Sequence, residues 1–335
     1  MGKKSASVFF VFVFLFCLAP VSFAQTHPEV KISHLSAPFG TSSYVLGSAL
    51  EEIFKKHPWL HITHSESPGF VFNIKKLDTE PQLKKSMIIG TGAGMKWMAT
   101  RGMEPFKKKY ESPLFLANYN LVSCWLATLD PAIASVKDLA GKRIALGRRT
   151  QVNWGIEPEM MLADGWGLGD DKVKLQYVGT SPAKTALLDR VVDACVVGGY
   201  LDPITLKVVP SPQTIELEAS RRKVTHLSWT KEAVATALQK TGIPLKGVSI
   251  PPNIFQGQSK PIDTFADFNI WAVAPEFPED VAYEFVKTIV KNYKRFGEFH
   301  ALGKIISPKG MVWGWEPKDM HPGAYKAYKE LGLMK

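Results

Sequence analysis

Cysteine is scarce. Three residues in a chain of 335 exclude a small scaffold stapled by disulfides. Charge is also modest. Charged residues make up 21% and hydrophobic ones 45%, an ordinary globular balance that excludes a disordered tail and a collagen-like fibre. No internal repeat and no low-complexity segment is visible. Acidic residues fall short of basic ones, 31 against 41, for a formal net charge of +10. The surplus is scattered, its densest runs being Lys107–Lys109 and Arg221–Lys223. Nucleic-acid binders concentrate such charge on one face, so no nucleic-acid partner is expected. Long hydrophobic runs are missing too, apart from one at the start. Val8–Leu18, read as VFFVFVFLFCL, is shorter than the roughly 20 residues of a membrane span.

That run has the grammar of an export signal. Lys3 and Lys4 precede it, Pro20 breaks it, and Ser22 and Ala24 stand three and one before a cut ahead of Gln25. Residues 1–24 are therefore read as a cleaved signal peptide, with an uncleaved anchor as the alternative. Phe16 before Cys17 argues against lipidation, where a small residue is needed. The mature protein is expected outside the cytoplasm, in the periplasm. Cys124 and Cys195 remain, each in an apolar strand-like run. They read as buried thiols behaving as small hydrophobes, or as a bridge if their strands are neighbours.

The remaining length predicts about two domains. Short apolar runs alternate with helical stretches. Strands are expected at Val30–Leu35, Leu60–Ser65, Ser86–Gly90, Asn120–Leu129, Arg143–Gly147, Lys174–Val178 and Asp193–Gly198. Helices are expected at Tyr44–Lys56, Phe70–Leu77, Gly94–Arg101, Glu157–Ala163 and Pro182–Arg190, with a clear amphipathic one at Pro278–Arg295 and a shorter one at His321–Leu331. Such alternation predicts an α/β fold with parallel sheet. Three turns rich in Gly and hydroxyls follow the first three strands: Ser36–Tyr44, Ser67–Asn73 and Gly90–Gly94. Helix N-termini there either are capped by Ser or Thr or offer N–H groups to an anion. Three turns after successive parallel strands gather at one sheet edge, where open α/β sheets bind ligands.

Enzymatic signals are weak. His57, His61 and His64 lie close in sequence, but the first ends a helix and the other two straddle a strand, so no metal site is expected. Ser42 has no His or Asp partner at a motif spacing, and Gly90–Gly94 is neither a Walker loop nor a dinucleotide fingerprint. No cofactor and no catalysis are expected.

Several segments carry a resemblance. Phe39-Gly-Thr-Ser-Ser-Tyr-Val-Leu-Gly-Ser-Ala-Leu50, Gly69-Phe-Val-Phe-Asn73, Asp138-Leu-Ala-Gly-Lys-Arg-Ile-Ala-Leu-Gly147, Ile250-Pro-Pro-Asn-Ile-Phe-Gln-Gly-Gln258 and His321-Pro-Gly-Ala324 resemble the TAXI group of extracytoplasmic solute receptors, which serve TRAP-type transporters. The resemblance implies a periplasmic-binding-protein type II fold, with two α/β lobes around a ligand cleft. Lobe 1 would be 27–118 plus 224–335 and lobe 2 would be 119–223, with crossovers at Asn120–Leu129 and near Val224–Leu227. It further implies a monomer that captures a small organic anion, carboxylate or amino-acid-like, for a TRAP-type inner-membrane permease. A sensor or ABC importer as partner, or an exported enzyme on the same scaffold, are the alternatives. Ligand contacts are expected from Ser42, Ser43, Tyr44, Asn73 and Thr91 on lobe 1, and from Arg148, Arg149, Asn153 and Gly199 on lobe 2. The sequence departs from the family where a small-residue turn becomes Arg148-Arg-Thr-Gln-Val-Asn-Trp154, where Phe70 replaces Ser, and where Phe255 replaces Tyr. Trp97 and Trp154 add apolar surface. Of the two arginines, at most one is expected to face the cleft and hold the acidic group; a solvated surface turn with lobe-stabilising ion pairs is the alternative for both.

Overall fold

The computed structural model describes Gly2 and residues 27–335; the expected signal peptide and Cys17 lie outside the described residues. Along the chain run β1 (Val30–Leu35), α1 (Ser42–Phe54), β2 (Leu60–Ser65), α2 (Phe70–Thr79), β3 (Met87–Gly92), α3 (Ala93–Arg101) and β4 (Leu114–Thr128). Then follow β5 (Arg143–Leu146), α4 (Ile156–Met160), β6 (Lys174–Tyr177), α5 (Thr180–Leu188), β7 (Ala194–Leu201), β8 (Val208–Pro210) and α6 (Pro212–Ala219). The chain continues through β9 (Thr225–Leu227), α7 (Lys231–Thr241), β10 (Lys246–Ile250) and β11 (Ile262–Val273). It closes with α8 (Glu279–Lys291), α9 (Phe296–Phe299) and α10 (Pro322–Glu330).

One sheet holds the strands in the order β2-β1-β3-β11-β4-β7-β5-β6, with β10 on β11, β8 on β7 and β9 on β4. It has two parallel wings. β1 lies parallel to β2 and β3, and β5 lies parallel to β6 and β7. The long strands β4 and β11 join them as an antiparallel pair, β11 bonding outward to β3 and β4 to β7. The architecture is the expected mixed α/β one with two lobes, each a wing wrapped in helices.

Local sequence explains the main helices. In α1, Leu46, Ala49, Leu50, Ile53 and Phe54 are buried, the three- and four-residue spacing of one helical stripe. The α8 stripe Val281, Phe285, Val286, Ile289 and Val290 is buried likewise. Phe285 stacks on Phe54 and meets Trp271 of β11 edge-on, so α1, α8 and the sheet share one core. The π-turn Met161–Gly165 continues α4, ending the helix expected to run from Glu157 to Ala163.

β4 begins at Leu114, not Asn120. Near the expected return at Val224–Leu227, β9 pairs with the far end of β4, at Leu126–Thr128. Trp166 Nε1 donates to the carbonyl of Trp229 at 2.9 Å, and Lys240 Nζ to that of Asp164 at 2.9 Å, tying α7 to the π-turn. Residues 225–241 thus contact 119–223, while β10 pairs with the start of β11 at Ile262–Ala266. Cys124 and Cys195 sit on neighbouring strands but out of register, opposite Gly198 and Ala127. Both are free and buried, and burial pushes the Cys195 thiol up to about 12.

Candidate functional site

A cleft of about 700 Å³ opens between the wings at the C-terminal ends of their parallel strands. The first wall is the turns after β1, β2 and β3. Gly40 (φ 80°) and Gly69 (φ 126°) take backbone angles that side chains disfavour, which lets the turns double back into α1 and α2. Thr41 Oγ1 accepts the Tyr44 N–H at 3.3 Å and caps α1. No side chain caps α2. Asn73 Nδ2 donates to three carbonyls, of Leu35, Ser36 and Gly90, at 3.3, 2.6 and 2.9 Å. It clips the ends of β1 and β3 together and sets the wall from behind.

The second wall is the 147–155 turn and the starts of α5 and α6. Gln151 Oε1 accepts the Arg148 N–H at 2.9 Å, and the Gln151 N–H donates back to the Arg148 carbonyl at 2.8 Å. This knot fixes the turn, and Arg148, Gln151, Asn153 and Trp154 line the cleft. Thr180 and Gln213 do so from the first turns of α5 and α6, neither of which has a side-chain cap. The N-termini of four helices therefore point into one cleft, and three of them leave first-turn N–H groups free of side-chain acceptors. Their dipoles favour an anion there, as do Arg148 and Lys75, which both line the cleft.

The floor is the β4/β11 pair, with Val122, Asp267 and Asn269 facing the opening. Asp267 Oδ1 accepts the N–H of Gly94 at 3.0 Å and of Phe268 at 2.7 Å, while Oδ2 accepts Asn153 Nδ2 at 2.6 Å. Glu157 of α4 is fully buried behind it, with Oε1 unpartnered. Burial, and after it the negative charge of Asp267, lifts the Glu157 carboxyl well above the carboxylate range. Burial raises Asp267 as well, but its two N–H donors and Asn153 favour the anion there. The pair thus keeps Glu157 protonated and places the charge on Asp267.

The structure sorts the expected site residues. Ser42, Ser43, Arg148 and Asn153 line the cleft. Ser43 is 2% exposed with its hydroxyl unpartnered. Tyr44 does not; its ring lies edge-on against Phe39 and His64, because the helix turns that side away. Asn73 and Thr91 are fully buried outside the lining. Gly199 sits in β7, where a Cβ would meet the carbonyl oxygen of Val209 in β8 at 2.8 Å; it permits the strand pairing and its neighbour Tyr200 lines the cleft. Arg149 turns outward, over the Tyr177 ring at 4.4 Å, and donates to Glu159 at 3.0 Å. Phe255 packs on Trp125 and His226, away from the cleft, so the hydroxyl lost there is no loss to the site. His57 pairs with Glu284, His61 lies near Glu29, and His64 meets Ser36 and Ser48, three separate places.

Asp267, Glu157 and Asn269 escaped sequence reading. The signal that could have found them is Asp267-Phe-Asn269, two polar residues at strand period inside an apolar run. A second groove of about 800 Å³ lies along Arg221–Ser228 and Gln256–Ile262. Its Glu218 is already paired with His226 at 3.0 Å, and its Arg222 with the Leu188 carbonyl at 2.7 Å. None of the unpartnered buried side-chain atoms among the described residues lies on it, whereas Ser43 and Asn269 bring such atoms to the interlobe cleft.

Comparison with known proteins agrees with this geometry. A family model described as the NMT1-like family matches residues 35–332. Among solved structures, the chain is similar to a TctC solute binding protein from Polaromonas at 15% identity, over 92% of this chain and 100% of that one, with a TM-score of 0.53. It is similar to a putative periplasmic sulfonate-binding protein, SsuA, of a sulfonate ABC transporter from Methylobacillus flagellatus at 13% identity, over 92% and 96%, with a TM-score of 0.51. A structure described as a periplasmic transporter matches at 11% identity, over 91% and 95%, with a TM-score of 0.51. At such identities the likeness is one of fold.

Proposed function

Because the chain belongs to the NMT1-like family and carries an interlobe cleft, we propose that it is an extracytoplasmic solute receptor. It captures a small organic anion and hands it to a membrane permease. One observation carries the reading: four helix N-termini and the guanidinium of Arg148 converge on a single cleft of about 700 Å³. Clefts of this size suit a small molecule. Ligand drawn to either wall would engage the other as the lobes pivot on β4 and β11, a hinge closure of the binding-protein kind.

The similar proteins named as solute-binding or sulfonate-binding support the receptor class, and the acidic group could be carboxylate or sulfonate. The TAXI resemblance supports a TRAP-type permease as partner and a monomer as the working form. The Lys-rich start and the Ser22-x-Ala24 site support export with cleavage before Gln25.

Native mass spectrometry of gently purified protein tests the reading directly. A co-purified small acid, displaced in step with a change in scattering radius on closure, is the expected result. A bound neutral or cationic metabolite, or turnover of the captured molecule, would overturn it. N-terminal sequencing of periplasmic material that retained Met1 would refute cleavage before Gln25.

A further inference from the structure

Asn120 and Asn269 stand directly opposite each other on β4 and β11. Both are buried, at 5% and 4% exposure. Asn269 Nδ2 donates to Asn120 Oδ1 at 2.9 Å. A carboxamide has one acceptor oxygen and a two-proton donor, so a single bond between two of them leaves one carbonyl oxygen and one NH₂ over. Here these are Asn269 Oδ1 and Asn120 Nδ2, and neither has a partner. Turning both amides over exchanges the residues but leaves the same free acceptor beside the same free donor.

Buried polar atoms are normally satisfied, and this pair sits where the cleft floor is exposed to a ligand through Asn269. The register slips just beyond it. Asn269 faces Asn120 but Ile270 faces Asn118, so Tyr119 is an extra residue, a bulge that re-aims side chains at sites. The floor is also negative. Asp267, which carries the charge of its pair with Glu157, lies two residues along β11 on the same face. A second carboxylate lowered onto Asn269 would meet that charge, whereas a neutral group would not. Positive groups, Arg148 and Lys75, are on the walls.

We propose that the ligand is bifunctional: an acid whose charged group is held at the walls and whose other end is a neutral amide-like group, an N–H beside a C=O, read by Asn120 and Asn269. This rests on the anion-receptor reading above. The floor then acts as a specificity element that prefers the monoamide of a dicarboxylic acid over the diacid itself, by pairing with the amide and repelling the second carboxylate.

The test uses calorimetric titration of the full mature protein with matched probes: malonate and malonamate, succinate and succinamate, glutarate and glutaramate. At least one monoamide should bind at least about tenfold more tightly than its diacid, since a site built on hydrogen bonds rejects a partner that leaves them unmade. In Asn269→Leu monoamide affinity should fall about tenfold, shrinking that preference to what repulsion by Asp267 leaves, while the affinity for the acid group remains. Should Asn269→Leu fail to fold by circular dichroism, Asn269→Asp keeps the shape, removes the donor and adds repulsion, and should lower monoamide affinity by a similar factor. A diacid bound as tightly as its monoamide by the parent, or monoamide affinity unchanged in both variants, overturns the inference and leaves the anion receptor standing. If no probe binds, the inference is overturned; if the co-purified molecule also carries no acidic group, the anion reading falls with it.

Discussion

On the first wing the turns after β1, β2 and β3 offer the cleft glycines, hydroxyls and unfilled backbone N–H groups. On the second wing the turn after β5 offers a guanidinium, a carboxamide and an indole. Main-chain donors are the same whatever the residue, so the first wall can recognise an anion but is hard to retune by substitution. The second wall adds side chains to the uncapped starts of α5 and α6, and Arg148 and Arg149 show how finely. Neighbours in sequence, they take opposite fates because the Gln151 knot turns one toward the cleft while Tyr177 and Glu159 hold the other outside. In the proposed receptor, the helix starts on both walls would supply general affinity, and Arg148 with the floor the discrimination.

The sharpest way to break this contrast is to dismantle the first wall from behind. Asn73→Leu removes donors from three buried carbonyls, and each buried group left unpaired costs about 1–3 kcal/mol. Unfolding by denaturant should show a loss of about 3 kcal/mol or more; a loss under 1 kcal/mol would mean that the turns hold their own shape.

Next comes Arg148→Ala. A hydrogen bond to a charged group contributes about 1.5–3 kcal/mol, so affinity for the acidic ligand should fall roughly 10- to 150-fold with little change in unfolding. Unaltered binding would leave the anion to the helix N-termini alone. Arg149→Ala should do the reverse on a smaller scale: an exposed ion pair supports under about 1 kcal/mol of stability, and ligand affinity should not move.

The floor adds a dependence on pH. Burial raises the folded carboxyls of Glu157 and Asp267 above their unfolded values, so the folded state binds more protons than the unfolded chain over that interval. Stability therefore falls as pH rises from the ordinary carboxylate range through the raised folded values. Glu157→Gln imitates the protonated side chain. It should flatten this slope, so that the variant gains on the parent steadily with increasing pH in denaturant titrations. Parallel slopes for the two proteins would show that Glu157 ionises without penalty.

What the sequence revealed and what it hid divide along the same line. β1 and β2 were legible to the residue because VKISHL and LHITHS are short, β-branched and bounded by turn residues. α1 and α8 were legible from their stripes. β11 was not, although it is the central strand of the molecule. Its run IDTFADFNIWAV is interrupted by Asp267 and Asn269, which are polar because they face the cleft, and a pattern reader discounts a strand so broken. The element was obscured by the residues that it brings to the cleft, as local rules commonly fail at sites. Arg148 was legible as a candidate, but its separation from Arg149 depends on a carboxamide three residues on and an aromatic ring on another strand. Asn73 was singled out for the right turn but the wrong role: its amide faces the carbonyls beneath the cleft.

The long join between the wings also bears on the order in which the protein can be made. β3 ends at Gly92, and its partner on that side, β11, begins only at Ile262. While the ribosome or an export channel delivers the chain from its N-terminus, the β2-β1-β3 ribbon has a bare edge at β3, beside the outer edge at β2, for the whole of that interval, and an unpaired edge is a template for the wrong partner. Contacts so distant in sequence also form slowly. The first half of the molecule cannot become a finished folding unit on its own, and a chain kept extended until its last third has emerged would avoid the danger that its topology creates.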